Sequence, residues 1–250
     1  MRRRRASLIA IVTIASALAS VASAQTLRTD PLTIYAAASL SEVLRGFDPA
    51  QGYSFAASNT LETQIRNGAP ADIFASAAAL NTQRLFRERL VEKPITFTSN
   101  RLVLIVPKSN PAGIRSVYDL KRKPVKLVIA GRAVPVGTYT RTVLRKLGLT
   151  SALSKVVSQE SDVKAVTGKV ALGQADAGFV YATDARPAGD RVSVIRIPAK
   201  GQPRIRYEIA VVSGSSNKTR ARAWIKTLLS VRGQAALKRY GFLPLPKAPS

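Results

Sequence analysis

Residues 32–76, LTIYAAASLSEVLRGFDPAQGYSFAASNTLETQIRNGAPADIFAS, decide the fold. Read for hydrophobic period, the stretch predicts a strand over 32–37, a helix over 39–47, a strand over 53–56, a helix over 60–67 and a strand over 73–76. The order is βαβαβ. It continues with strands at 102–106 and 125–129, helices at 137–147 and 163–172, a buried strand at 177–181, and a strand at 205–212. A long helix over 218–231 and a shorter one ending at Tyr240 close the chain. Such alternation predicts an α/β fold, with mostly parallel sheets covered by helices on both faces. Ligands of such sheets sit at the carboxyl ends of strands, where the following helices begin.

Composition narrows the chemistry. The 250 residues suffice for one large domain or two of about 100 to 125 residues each, and 46% hydrophobic content can fill their cores. The chain has no cysteine and no histidine, which excludes disulfides, Cys/His zinc sites, thiol nucleophiles and Ser-His-Asp hydrolysis. Thirty-nine Lys and Arg against 14 Asp and Glu give a formal charge of +25, which points to nucleic acid, an anionic surface or an anionic ligand.

The N-terminus separates these. Arg2 to Arg5, an apolar run over 8–19 and the small-residue end Ala22-Ser23-Ala24 read as a secretory signal peptide over 1–24, by the general or the twin-arginine route. No cysteine is available for a lipid anchor, so the expected product is a soluble exported protein beginning near Gln25. The leader accounts for four of the positive charges, leaving +21. No internal repeat or low-complexity linker marks a boundary. Strands 102–106 and 207–212 are the expected crossings between two α/β lobes, with 25–104 plus 208–250 as lobe I and 105–207 as lobe II. Residues 244–250 read as a fraying tail.

Several strand-to-helix junctions carry one chemistry. Ser39 with Glu42, and Asn59 with Glu62, have capping-box spacing. Val134-Pro135-Val136-Gly137 places small residues and a proline at a helix start, and Ser161-Asp162 offers two N-caps before Val163. Each junction presents free backbone N–H groups and the positive end of a helix dipole. A single Ser or Asn there is ordinarily only a cap. Several facing one cleft make an anion site.

Rival classes find less. Ser-x-x-Lys occurs at Ser161 to Lys164 and at Ser215 to Lys218, as in penicillin-recognising serine hydrolases, but Lys-Thr-Gly and Ser-Asp-Asn are missing. A nucleic-acid reading has charge alone, with 6% aromatics, no motif, and export against it. A metal site would need clustered carboxylates, and the 14 here are scattered.

Seven stretches then occur together: YAAASL at 35–40, FAASNTLETQI at 55–65, GAPADIFASA at 68–77, NRLVLIVP at 100–107, VPVGTY at 134–139, GQADAGFVYATDA at 173–185 and YGF at 240–242. In that order they resemble the periplasmic molybdate-binding proteins, the solute receptors of molybdate ABC transporters. The resemblance implies a type II periplasmic binding fold, two α/β lobes joined by two crossing strands and closing on a tetrahedral oxyanion. The implied ligand is molybdate, with tungstate beside it, handed by a monomeric receptor to an inner-membrane permease. No enzymatic activity, cofactor or bare metal ion is implied. It assigns ligand roles to Ser39 and Ser58 through hydroxyl and backbone N–H, to Val136 and Val163 through backbone N–H, and to Tyr181 through its phenol.

Two positions depart from the family pattern. Val136 stands where alanine is expected, and Asn59 where serine or glycine is commoner. Val136 either narrows the cleft, favouring the smaller sulfate, or packs into its lobe, which is favoured because an apolar group against a dianion forfeits solvation. A shortened link at 47–53 lies away from the ligand loops. Sulfate and phosphate stay open as ligands, since charge does not separate dianions, and a protonated phosphate needs an acceptor. Asp162 is the nearest carboxylate for that, although a helix cap is its favoured reading.

Overall fold

A computed structural model describes residues 30–244; the leader expected at 1–24 and the last six residues of the tail lie outside the described residues. β1 (Thr33–Ala37) enters a 3-10 turn and α1 (Ser41–Phe47), β2 (Gly52–Ala56) enters α2 (Ser58–Arg66), and β3 (Ile73–Ser76) precedes α3 (Ala79–Arg87) and β4 (Ile95–Asn100). The chain continues through β5 (Leu102–Pro107), α4 (Asp119–Arg122), β6 (Leu127–Ala130), α5 (Pro135–Lys146), β7 (Val156–Glu160), α6 (Val163–Ala171), β8 (Ala177–Tyr181), α7 (Ala182–Ala188) and β9 (Val192–Arg196). It returns in β10 (Ile205–Val211) and ends in α8 (Lys218–Leu229) and α9 (Val231–Arg239).

The strands form two five-stranded sheets, ordered β2-β1-β3-β10-β4 and β7-β6-β8-β5-β9. The expectation of mostly parallel sheets is corrected. Each sheet has three parallel strands, then an antiparallel strand, then a strand antiparallel to that one. The cause is topological. β5 and β10 each begin where the chain has just left the other sheet, so they run away from that end, whereas β1–β3 and β6–β8 run towards it.

The passages themselves are short. β5 pairs only with β8 and β9, and β10 only with β3 and β4, so the chain changes sheets at Arg101 and within 197–204. Residues 102–104 and 205–207 therefore hydrogen-bond in the sheet opposite to the one the sequence division gave them, and 102–106 and 207–212 lie in the strands that carry the chain on from the two passages.

Burial follows the sequence pattern. β3, β5, β6 and β8 are buried along their whole length, as near-continuous apolar strands covered on both faces should be. The edge strands β7 and β9 alternate between half-buried and exposed positions.

Aromatic packing joins the lobes. The Tyr207 ring meets Phe97, Phe242 and Tyr181 edge-on, at centroid distances of 6.3, 5.4 and 5.8 Å, each pair contributing about 0.5–1.5 kcal/mol beyond area burial. Phe242 reaches Tyr207 because Gly241 turns the chain at φ 92° directly after α9, a conformation that favours glycine.

Candidate functional site

The five sequence-assigned residues line one cavity. Ser39, Ser58, Val136, Val163 and Tyr181 surround it with Ala37, Ala38, Ala56, Ala57, Ala77, Pro135 and Asp162. Its volume is about 20 Å³, little more than one water occupies. Every lining segment sits at the carboxyl end of a parallel strand: β1, β2 and β3 from the first sheet, β6, β7 and β8 from the second. That is where a doubly wound sheet holds its ligand.

The small residues have a geometric reason. Alanines at the strand ends let backbone approach the cavity, and Gly137 lets α5 approach β6. A Cβ there would lie 2.1 Å from the Gly131 carbonyl oxygen and 2.4 Å from that of Ala130, so only glycine fits. This close approach presents the backbone of Val136, which is 1% exposed and part of the apolar core.

The expected capping boxes do not form. No side chain caps α1, α2 or α5; Ser39 and Glu62 bond elsewhere, and Asn59 Oδ1 is buried without a hydrogen-bond partner among the described residues. Ser58 Oγ accepts the Ala77 N–H at 3.0 Å, which leaves its own proton unclaimed. Ser39 Oγ lies 2.8 Å from Tyr207 Oη. Glu62 binds Arg66 and Asn81 rather than a helix start. In α2 the Thr60 N–H bonds the Ala57 carbonyl, so the free first-turn N–H groups are those of Ser58 and Asn59; in α5, where Pro135 has none, they are those of Val136 and Gly137. Asp162 does cap, its Oδ1 accepting the Ala165 N–H at 3.0 Å.

A buried hydrogen-bond network stands behind Ser39. Asn100 Oδ1 accepts the Arg101 N–H, so its Nδ2 faces Thr183 Oγ1 at 2.9 Å and Tyr207 Oη at 3.3 Å as a donor. Asn100 thus donates to Tyr207 Oη, which shares a 2.8 Å hydrogen bond with Ser39 Oγ in which either hydroxyl can donate. Asn100 and Tyr207 are absent from the sequence-derived site. Asn100 was visible only within the NRLVLIVP stretch, and nothing local marks Tyr207, which lies 168 residues from Ser39.

On the cavity lining Tyr181 is left unsatisfied. Its hydroxyl is buried and has no hydrogen-bond partner among the described residues. Burial pushes its phenol well above the ordinary value, with Tyr207, Tyr139 and Asp184 adding to the rise, so it remains a proton donor across the working pH range. The cavity thus offers neutral donors and no cationic side chain on its lining.

Other features of the fold do not compete. A hollow of about 450 Å³ includes Asp72, whose carboxylate is held by Thr33, Ser215 and Asn217. Ser215 therefore faces a carboxylate and not a lysine. No group of three or more metal-ligating side chains occurs among the described residues, and no described helix is long and apolar enough to cross a membrane.

Comparison with known proteins agrees with this geometry. The bacterial extracellular solute-binding protein family matches residues 32–243. The chain is 33% identical over 222 residues to the molybdate-binding protein ModA of Mycobacterium tuberculosis, covering 84% of each chain. It is 31% identical over 228 residues to that of Escherichia coli, covering 84% of this chain and 88% of that one. The periplasmic molybdate-binding protein of Azotobacter vinelandii shares the fold, with a TM-score of 0.77 at 22% identity, over 86% of this chain and all of that one. The chain belongs to the family of bacterial extracellular solute-binding proteins that includes the ModA molybdate-binding proteins.

Proposed function

We propose that the protein is a periplasmic receptor that binds molybdate, and tungstate of the same shape and charge, and delivers it to an ABC transporter permease. Residues 1–24 act as the leader, and lobes built on the two sheets close over the ion. Ser39, Ser58 and Tyr181 donate hydroxyl protons, and Val136 and Val163 donate backbone N–H groups. The observation that carries this reading is the convergence of six strand ends from two sheets on one cavity of neutral donors. Such a ring compensates a dianion without burying an unpaired Arg or Lys in the empty receptor. The molybdate-binding function of these relatives supports the choice of molybdate. Asp162 on the lining favours a second reading, a protonated oxyanion such as phosphate, but its Oδ1 is occupied as a cap.

Thermal unfolding with molybdate, tungstate, sulfate and phosphate tests this. Ligand at a hundredfold excess over Kd adds about 2.7 kcal/mol, which for a chain of this size raises Tm by about 5–10 °C. Molybdate and tungstate are expected to do so. A shift with phosphate alone would favour the second reading, and acylation by a β-lactam with no oxyanion shift would replace both.

A further inference from the structure

One lysine touches a carboxylate on each side of the cleft. Lys164, the second residue of α6, places its Nζ 3.5 Å from Glu42 Oε1 on α1 and 3.5 Å from Asp184 Oδ1 on α7. α1 follows a strand of the first sheet, whereas α6 and α7 follow strands of the second. The same three elements frame the cavity, since Ser39 lies two residues before α1, Val163 opens α6 and Tyr181 immediately precedes α7.

The two carboxylates differ. The Glu42 side chain is half exposed. Asp184 is fully buried, and neither of its oxygens has a hydrogen-bond partner among the described residues. A buried carboxylate without hydrogen bonds is costly to keep charged. The groups facing it are Lys164 and Asp162 from α6 and the turn before it, Glu42 from α1, Tyr181 from β8 and Tyr207 from β10. Burial pushes the Asp184 carboxyl up to about 7, with Lys164 opposing and Asp162 and Glu42 assisting. Asp184 thus changes charge close to neutral pH while Lys164 stands between it and the other lobe.

We infer that Lys164 is a clasp shared between Glu42 of one lobe and Asp184 of the other, and that protonation of Asp184 hands it to Glu42 and tightens closure over the bound oxyanion. The inference rests on the receptor reading above. Two effects act in the same direction. A dianion in the cavity disfavours a second buried negative charge near it and so favours protonated Asp184. Protonated Asp184 no longer competes for Lys164, which then pairs across the cleft. By linkage each event favours the other, so molybdate affinity rises as pH falls through the Asp184 midpoint. Lys164 is a positioning residue: it holds the lobes, and the ion meets other donors.

The experiment is stopped-flow and calorimetric titration with molybdate at about pH 6 and about pH 8.5, on either side of that midpoint. The parent protein should bind more tightly and release more slowly at the lower pH. Asp184→Asn should lose that dependence and release slowly at both. Glu42→Gln and Lys164→Met should release molybdate roughly 2- to 5-fold faster than the parent at the lower pH, the range for an exposed ion pair, with association unchanged. The double variant should be no faster than either single one. Since the chain has no cysteine, spin labels at Gln64→Cys on α2 and Arg145→Cys on α5, both exposed, report lobe separation without ligand. The closed population should grow at the lower pH, persist at both in Asp184→Asn and shrink in Lys164→Met. An Asp184→Asn protein that keeps the parent's pH dependence, or a Lys164→Met protein with parental release and parental label distances, overturns the clasp. A parent that ignores molybdate defeats the receptor reading instead, and the label distances still decide the clasp.

Discussion

Replacing Tyr181 with phenylalanine separates binding from stability, because the two should move in opposite directions. The hydroxyl is buried and unpartnered, while the ring packs on Tyr139 and Tyr207 at centroid distances of 6.5 and 5.8 Å. Phenylalanine keeps the ring contacts and removes only the oxygen. A buried polar group left without a partner costs about 1–3 kcal/mol, part of which the substitution recovers in the ligand-free protein. A gain of about 1 kcal/mol raises Tm by about 2–4 °C in a chain of this size. With molybdate present the sign reverses. A hydrogen bond to a charged acceptor is worth about 1.5–3 kcal/mol, so affinity should fall roughly 10- to 150-fold. Scanning calorimetry of the ligand-free protein and isothermal titration with molybdate give both numbers. A ligand-free Tm several degrees below the parent would show that the hydroxyl already has a partner. Unchanged affinity would show that it does not face the ion.

Three further outcomes follow from the geometry. Gly137→Ala forces a Cβ against two carbonyl oxygens that cannot move aside; it should cost about 3 kcal/mol or more and weaken molybdate binding as α5 is displaced, whereas Gly168→Ala, whose Cβ meets nothing, should gain about 0.5–1 kcal/mol, both read by denaturant titration. Ser58→Ala deprives the buried Ala77 N–H of its acceptor and should destabilise the ligand-free protein by about 1–3 kcal/mol, unlike Tyr181→Phe, as parallel melting curves will show. For Asp184 the folded value of about 7 lies above the ordinary 3.8, so its contribution to stability is fully present below the lower value and is lost as pH rises through the upper one; Tm measured across that window should decline in the parent and decline less in Asp184→Asn.

Which parts of this site the sequence disclosed is a matter of range. The strands ending at Ser76 and Tyr181 were legible to the residue, because continuous apolar runs bounded by turn residues have few alternatives. β4, β7 and β9 were missed. ITFTSN, VVSQE and VSVIR mix polar and apolar residues in short edge or near-edge strands, where pairing supplies what the pattern does not. Local capping rules misread Ser39 and Asn59, because the Ser39 hydroxyl has a partner 168 residues away. Asp162 was read as a cap and is one, since its acceptor role closes within three residues. The grouping of the five site residues was legible only through the ordered set of motifs. Spacing alone says nothing about which helix starts share a cavity.

The same contrast bears on the proposed preference of the cavity for a fully deprotonated dianion. A site built from hydroxyls and backbone N–H groups offers few acceptors to a ligand that must itself donate, and the one carboxylate on the lining has an oxygen directed at the backbone of its own helix. The donors are oriented from behind. Asn100 is locked by Arg101, Tyr207 by Asn100 and three aromatic rings, Ser39 by Tyr207, and Ser58 by the Ala77 amide. Of these supports Asn100, Tyr207, Phe97 and Phe242 stand behind the lining, while Ala77 and Tyr181 belong to it. The Ser39 and Ser58 hydroxyls are thus held within their own lobe before closure, which limits the side-chain entropy lost on binding. On the cavity lining, the Tyr181 hydroxyl and the free first-turn amides of α2 and α5 stay unsatisfied until then. An oxyanion that reaches all of these at once relieves several buried deficits, while one too small to span them relieves only some, so selection among dianions falls to donor spacing rather than charge.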